Sequence, residues 1–433
     1  MTRIKQAGPT VIIVALIAGI TGYVIRGSDV QTLAAVSAAE GQAVEPSNSA
    51  NILPDAVSPV GTVPKRDVYY PGTESLAPDE MRIVACGTGM PNARPKQAAA
   101  CFLVELGNGD KFIFDIGTGS AERISAMKIP YDYLDKVFIG HLHADHFGDL
   151  DALWIGGVIA NRQRPLRVWG PAGSEERLGT AHACKHMEEM FAWDYASRQG
   201  NVNTVGFKLE VNEFDYKGVN QVIYEENGVT IRSIPAIHAL DGPVSFILDW
   251  NGLKFVFGSD TAPNKWYLEH AANADLAIHE CFIAPSDLVN LQKWPVSDAL
   301  NVGTQVHTSP AQFGKVMSDV KPRMAVAYHF FNDYNTQPNV MNLIRKTYDG
   351  PVSLAVDYMV WNVTKDEIRT RMASIDEDIW PLPSVNEKLP ADPKDKVGFS
   401  DFIIGGKVPY FETVDKVYKS VNEEFGTNIP TPK

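Results

Sequence analysis

Short apolar runs alternate with glycine, proline, asparagine and polar residues between residues 81 and 362. Apolar runs that end in turn residues are typical of β-strands. The stretch "CFLVELGNGDKFIFDI" predicts a hairpin, and Asn251-Gly252 marks the turn of a second one. The predicted strands are 81–89, 101–106, 111–116, 135–140, 166–171, 228–238, 244–260 (the second hairpin), 275–280, 324–330 and 352–361.

Three segments are predicted as helices. Residues 171–200 form the first, and 309–320 form the second, with Ser309 as N-cap and Pro310 at the first helical position. Residues 412–425 have the spacing of an amphipathic helix. Strand hairpins that alternate with strand–helix units predict an α/β fold, with mixed sheets covered by helices.

The N-terminus has the pattern of an export signal. Arg3 and Lys5 precede an uncharged apolar run, Val11–Ile25, which is short for a spanning helix but suits a signal-peptide core. Residues 1–27 are therefore predicted to direct export, either as a cleaved signal or as a membrane anchor through residues 11–25. The positive start predicts that the bulk of the chain is periplasmic or anchored facing outside the cytoplasm.

The remaining chain divides by composition. Residues 28–78 are rich in Ala, Ser, Pro and Val without a sustained period, which predicts a flexible linker. Residues 79–371 are predicted to form the main domain. Residues 372–433 start irregular and proline-rich and are predicted to be a C-terminal extension.

Charge and cysteine content narrow the class of protein. The formal net charge is −13 and no run of Lys and Arg stands out, so nucleic acid is not expected as a partner. The four cysteines lack C-x-x-C spacing, which argues against a cysteine zinc knuckle. We expect four buried, small apolar residues; the alternative is a disulfide between Cys86 and Cys101 on neighbouring strands.

Histidines are concentrated in "GHLHADHFGDL", residues 140–150, which hold three of the ten in the chain. The sequence His141-Leu-His143-Ala-Asp145-His146 offers four groups that bind transition metals. Strand alternation places His141 and His143 on one side, and the following turn directs Asp145 and His146 elsewhere. One short loop can therefore reach two ions.

H-x-H-x-D-H after an apolar strand resembles the metallo-β-lactamase fold, a four-layer αββα sandwich. Later landmarks of that fold follow in the expected order: "AIH" ends at His238, "GSDT" contains Asp260, and "AYHF" contains His329. The resemblance spans roughly residues 81–362, which makes 79–371 the catalytic domain.

The resemblance also implies a role for each residue. One metal would take His141, His143 and His238, the other would take Asp145, His146 and His329, and Asp260 would bridge the two. "FDIGTG" resembles the family's early Asp-x-Gly, so Asp115 would orient a ligand without binding metal.

Two further residues resemble the ribonuclease Z and arylsulfatase-like branch. In that branch an extra histidine near the metals stabilises charge or donates a proton, and a glutamate orients it. His307 of "VHTS" and Glu280 of "IHE" match this pair, whereas the neighbouring His279 is expected to be a packed strand residue. The candidate catalytic residues are Asp145, His307 and Glu280.

The sequence also departs from ribonuclease Z. Those proteins carry a long tRNA-grasping arm between the third-histidine strand and the bridging aspartate, where this chain has only a hairpin. Residues 180–222 are predicted instead to form a cap over the metals. The candidate substrate pocket, for which core packing is the alternative, consists of Met187, Met190, Phe191 and Trp193.

The resemblance implies two Zn²⁺ ions, with Mn²⁺ or Fe²⁺ as alternatives, and a metal-bound hydroxide as nucleophile. The predicted function is an exported hydrolase of a small ester, either a phosphodiester or a sulfate ester. The alternative is a lactonase or another cyclic-ester hydrolase. A ribonuclease is less favoured without a basic track, and so is a redox or non-catalytic protein, because no ligand is lost or replaced.

Overall fold

The computed structural model describes residues 57–58, 61–62, 66–382 and 384–432. The predicted signal or anchor segment, residues 1–27, lies outside the described residues, as does most of the predicted linker. Export therefore stays a prediction. Among the helices in the described ranges, none combines the length and apolarity needed to cross a bilayer.

The described strands follow one another through most of the chain and are numbered in chain order. They are β1 (Val57–Ser58), β2 (Gly61–Thr62), β3 (Val68–Tyr69), β4 (Met81–Gly87), β5 (Cys101–Leu106), β6 (Lys111–Phe114), β7 (Lys136–Phe138), β8 (Leu166–Pro171), β9 (Leu209–Phe214), β10 (Gln221–Glu226), β11 (Val229–Pro235), β12 (Val244–Trp250), β13 (Leu253–Phe257), β14 (Leu276–Glu280), β15 (Met324–Tyr328), β16 (Val352–Leu354), β17 (Met359–Val363) and β18 (Ile368–Ala373).

The described helices are short and fall between the strands or after the last one. They are α1 (Ser120–Ser125), α2 (Ala144–Phe147), α3 (Leu150–Ile159), α4 (Thr180–Met190), α5 (Ala192–Arg198), α6 (Lys265–His270), α7 (Pro285–Gln292), α8 (Val296–Asn301), α9 (Pro310–Val320), α10 (Gln337–Ile344), α11 (Asp401–Gly405) and α12 (Phe411–Phe425). As predicted, Ser309 is the N-cap of α9 and Pro310 its first residue.

The strands form two large mixed sheets. One has nine strands in the order β3-β18-β17-β4-β5-β6-β7-β8-β9, and the other has seven in the order β10-β11-β12-β13-β14-β15-β16. In the first sheet β6 to β9 run parallel, and in the second β13 to β16 do. The parallel strands matter for function because their carboxyl ends open at one edge of each sheet.

An aromatic core fills the space between the sheets. Phe114 of the nine-stranded sheet packs against Phe255 of the seven-stranded sheet with ring centroids 5.2 Å apart, and both are buried. Trp154 of α3 lies in the core on the outer face of the first sheet, and Phe313 of α9 in that of the second. The predicted α/β fold with four αββα layers is therefore confirmed.

The predicted single strand 352–361 is wrong, because β16 and β17 belong to different sheets. The carboxylate of Asp357 accepts hydrogen bonds from the backbone N–H groups of Thr88 (3.1 Å) and Ala98 (2.6 Å), and Tyr358 adopts a φ of 69°. These bonds turn the chain from one sheet to the other.

The predicted helix 171–200 is also wrong in its bounds. Strand β8 continues to Pro171, α4 begins only at Thr180, and a break at Phe191 separates α4 from α5. The start of α4 is fixed from outside the segment, because the carboxylate of Glu213 on β9 accepts the Ala181 N–H at 2.7 Å.

The main domain begins before residue 79. Strand β3 pairs with β18, and the Tyr69 side chain is only 2% exposed. Its hydroxyl lies 3.0 Å from Nη1 of Arg82, whose guanidinium covers the ring at 4.3 Å. The end of the predicted linker is therefore part of the fold.

Candidate metal centre

The site lies where strands of both sheets end. Asp115 follows β6 directly and His329 follows β15 directly, whereas His141, His238 and Asp260 each come three residues after a strand. Parallel and hairpin strands thus deliver polar side chains to a common edge. The loop after β7 can enter because residue 140 is glycine: a Cβ there would lie 2.3 Å from the Ser259 hydroxyl oxygen.

The first set of potential ligands gathers around His143. Its Nδ1 lies 3.0 Å from Nε2 of His141 and 3.2 Å from Nε2 of His238. Nε2 of His238 is in turn 3.8 Å from Oδ2 of Asp260. These four residues offer ligand atoms that all lie within 4.8 Å of one another.

The second set shares Asp260 with the first. His329 Nε2 lies 3.1 Å from an oxygen of Asp145 and 3.1 Å from Oδ2 of Asp260. His146 Nε2 is 3.3 Å from the other oxygen of Asp260, Oδ1. One carboxylate therefore faces both sets, which is the arrangement that a bridging ligand requires.

The chemistry of these groups fits divalent metal ions. Oδ1 of Asp145, Nε2 of His146 and Oδ1 of Asp260 are buried without a hydrogen-bond partner among the described residues. Buried polar atoms are normally satisfied, so such orphans indicate a missing ligand. Imidazole and carboxylate donors suit zinc, manganese and iron.

The protonation states favour metal binding by the first set. Burial lowers the pKa of His238 to about 4 and that of His141 well below its usual value, so both rings are neutral near pH 7. Burial alone would raise the pKa of Asp260, but His146 and His329 outweigh it and hold the pKa well below the usual range. Neutral imidazoles beside an ionised carboxylate are the forms that bind metal.

The carboxylate of Asp115 contacts three residues in or next to the ligand sets. Its Oδ2 lies 2.6 Å from Nδ1 of His146 and accepts the Ser259 hydroxyl at 2.9 Å. Its Oδ1 accepts the Gly140 N–H at 2.6 Å. A carboxylate bonded to Nδ1 leaves Nε2 of His146 free for a metal, which is the orienting role that the resemblance implies.

Glu280 and His307 meet beside the second set. Glu280 Oε2 lies 2.7 Å from Nδ1 of His307, and Oε1 accepts the Thr261 N–H at 2.5 Å. The Phe282 ring stacks on the His307 ring with centroids 4.1 Å apart and an interplanar angle of 3°. The imidazole is thus held in plane by the carboxylate and in position by the phenyl ring.

Strained backbone accompanies these contacts. Asp115, Ser259 and His329 have φ values of 53°, 49° and 71°. Non-glycine residues in this region cost about 1–3 kcal/mol each and cluster at functional sites. The surrounding sheets hold the three residues in a conformation that the chain alone would avoid.

The four predicted pocket residues differ in burial. Met187 and Phe191 pack with Trp154 on the outer face of the nine-stranded sheet, whereas Met190 and Trp193 are 71% and 81% exposed. Residues 180–222 supply α4 and α5 on that face and the edge strand β9. The pocket and the cap stay predictions.

His279 and the four cysteines are buried. His279 is fully buried on β14 against the Tyr267 ring at 4.6 Å, as expected of a packed strand residue. The four cysteines are buried and free, as expected.

The sequence reasoning missed two residues that shape the site. Ser259 joins Asp115 to His141, with its Oγ 3.3 Å from Nδ1 of His141. Phe282 supports His307. Ser259 precedes Asp260 within "GSDT", which offered a signal, but nothing in the sequence links Phe282 to a histidine 25 residues later.

The chain is similar to several known proteins. A family model described as "Anti-Pycsar protein Apyc1" matches residues 81–292. Ribonuclease Z of Mycobacterium marinum (strain ATCC BAA-535 / M) is 27% identical over 235 residues, covering 53% of this chain and 81% of the relative. Ribonuclease Z of Bacteroides fragilis (strain YCH46) is 24% identical over 308 residues, covering 60% of this chain and 90% of the relative. Among solved structures, the metallo-β-lactamase-fold protein YhfI from Bacillus subtilis has 17% identity and a TM-score of 0.49, covering 66% of this chain and 100% of that one.

The relatives confirm the main resemblance predicted from the sequence, whereas its arylsulfatase-like part stays a prediction. The name ribonuclease Z also conflicts in part with the expectation that nucleic acid is not a partner. The chain is similar to ribonuclease Z in sequence, and its hydrolase class is thereby confirmed.

Proposed function

We propose that the protein is a binuclear metal-dependent phosphodiesterase that acts on a small substrate. The observation that carries this proposal is the position of Asp260, whose Oδ2 lies 3.8 Å from His238 of the first set and 3.1 Å from His329 of the second. In this proposal the first metal is held by His141, His143 and His238, and the second by Asp145, His146 and His329.

Divalent cations held by these residues would lower the pKa of a water towards neutrality and so make it a nucleophile. The chain's own residues supply the position and the remaining proton transfer. The water oxygen forms a new bond to phosphorus, the bond from phosphorus to the leaving oxygen breaks, and the leaving oxygen takes up a proton.

We assign the donation of that proton to His307. Its Nδ1 is engaged by Glu280, so Nε2 is the ring nitrogen left for the substrate. Stacking on Phe282 limits rotation of the ring, and positioned proton donors of this kind contribute about 10²–10⁴-fold to rate. In this proposal Asp145 is a ligand of the second metal, and its Oδ2 lies 3.1 Å from Nε2 of His329.

The choice of a phosphodiester over a sulfate ester is supported by the ribonuclease Z relatives. The choice of a small substrate over RNA is supported by the net charge of −13 and by the tight β12–β13 hairpin between His238 and Asp260. Two Zn²⁺ ions match the donor set best, with Mn²⁺ or Fe²⁺ as alternatives.

The experiment is a substrate panel with the zinc-loaded protein: an aryl phosphodiester, an aryl sulfate, a lactone and a transfer-RNA precursor. Asp260→Ala is the blank, and His186→Ala is the matched control because His186 is exposed and pairs with Glu189. Preferred hydrolysis of the aryl phosphodiester supports the proposal. Preference for the sulfate, the lactone or the RNA would replace it with that substrate class.

A further inference from the structure

A cleft of about 530 Å³ adjoins the first set of ligands. It shares His238 with the metal centre and is lined on its other sides by Tyr216, Ile237, Leu240, Trp266, Gln305 and Val306. The wall next to the cluster is fixed, because Nδ1 of His238 lies 3.1 Å from the Val306 carbonyl. The cleft and the first set of ligands therefore share one fixed wall, His238.

The cleft exposes apolar side chains that are close to His238 in the sequence. Ile237 is 47% exposed and Leu240 is 57% exposed, and they flank His238 in the sequence. Contiguous apolar surface beside a few polar groups is typical of a ligand-binding cleft. Trp266 is half-buried on α6 and adds an aromatic surface.

The polar groups of the cleft connect its walls, and their net charge is zero. The Tyr216 hydroxyl donates to Asp241 at 3.2 Å, which ties the β9–β10 connection to the loop after His238. Lys217 lies over the Tyr216 ring at 5.2 Å. Lys217 and Asp241 are the charged residues of the lining, apart from any charge on His238, and they balance each other.

We infer that this cleft binds the spectator group of the substrate, the ester substituent that stays on phosphorus, and that it selects a flat apolar or aromatic group. The inference rests on the proposed phosphodiesterase function. The cleft recognises the group by apolar contact with Ile237, Leu240 and Trp266, and its neutral lining disfavours a spectator that carries extra charge.

The test keeps the leaving group constant and varies the spectator. Phenyl p-nitrophenyl phosphate and methyl p-nitrophenyl phosphate release the same p-nitrophenolate, so a difference in kcat/KM reports the spectator. We expect the phenyl ester to be favoured about tenfold or more, because burying a few extra carbons contributes at least that much. Leu240→Asn should reduce the preference about threefold or more. The matched control is Leu291→Asn, because Leu291 is 50% exposed and lies outside the lining.

The outcomes separate this inference from the proposed function. If both esters are hydrolysed without a phenyl preference, the inferred role of the cleft is wrong but the phosphodiesterase function stands. The same holds if Leu240→Asn leaves the preference unchanged. If neither ester is hydrolysed, binding of phenylphosphonate and methylphosphonate to the metal-loaded protein decides. Tighter binding of phenylphosphonate that is lost in Leu240→Asn supports the cleft without the phosphodiesterase, and equal binding overturns it.

Discussion

Oε2 of Glu280 lies 2.7 Å from Nδ1 of His307, and both side chains are buried at the edge of the metal centre. Glu280 comes from the carboxyl end of β14, whereas His307 follows a π-helical turn, Val302–Val306. Two unrelated elements thus place one hydrogen-bonded pair beside Asp260.

His307→Ala should keep both metals and slow turnover by about 10²-fold or more, as expected for loss of a proton donor. Glu280→Gln should have a smaller effect in the same direction, because the amide can still contact the His307 ring but lacks a carboxylate oxygen to accept from Nδ1. Metal content and kcat are measured together on each variant. An unchanged rate in His307→Ala would make the residue structural.

Asp260→Ala should lose metal and activity together, because one carboxylate faces both ligand sets. Metal content by elemental analysis and the rise in Tm on adding Zn²⁺ are the two measurements. Asp298→Ala is the matched control, since Asp298 is exposed on α8. Full metal occupancy in Asp260→Ala would contradict the bridging role.

Asp115→Asn should weaken metal binding about 10–100-fold, because outer carboxylates orient ligating histidines to that extent. The asparagine cannot accept from Gly140, Ser259 and His146 in the same way as a carboxylate. Competition with a chelator measures the affinity. Asp149→Asn controls for charge next to the cluster, since its carboxylate accepts the Ala121 N–H at 2.9 Å.

Tyr69→Ala should lower the free energy of unfolding by about 3–5 kcal/mol, the range for truncating a buried aromatic residue. The neighbouring Tyr70 is 45% exposed, so Tyr70→Ala should change the free energy of unfolding by no more than about 0.5 kcal/mol. Denaturant unfolding of the two variants makes the comparison. Equal changes in the free energy of unfolding would mean that Tyr69 belongs to the linker and not to the folded domain.

The metal-ligand residues could be predicted from the sequence because ligand-type side chains are concentrated in short stretches. Residues 141–146 carry four ligand-type groups in six positions, and His238, Asp260 and His329 each follow an apolar strand. Ligands at strand ends leave this signal because the strand must be apolar and the next residues must be polar.

The rest depended on contacts that span long stretches of sequence. Asp357 breaks a predicted strand by bonding to Thr88, 269 residues away. Tyr69 lies in a segment whose composition is that of a linker, and it is buried by strand pairing near residue 373 and by contact with Arg82. Tyr216 and Trp266 have no periodic pattern that connects them to a cleft.

The ligands are divided between the two sheets. His141, His143, Asp145 and His146 follow β7 of the nine-stranded sheet, whereas His238, Asp260 and His329 follow strands of the seven-stranded sheet. Bound cations would therefore act as a removable cross-link between the halves of the sandwich. Metal loading then stiffens the whole molecule, and a substitution in the aromatic interior, far from any ligand, can alter metal affinity by changing the spacing of the sheets.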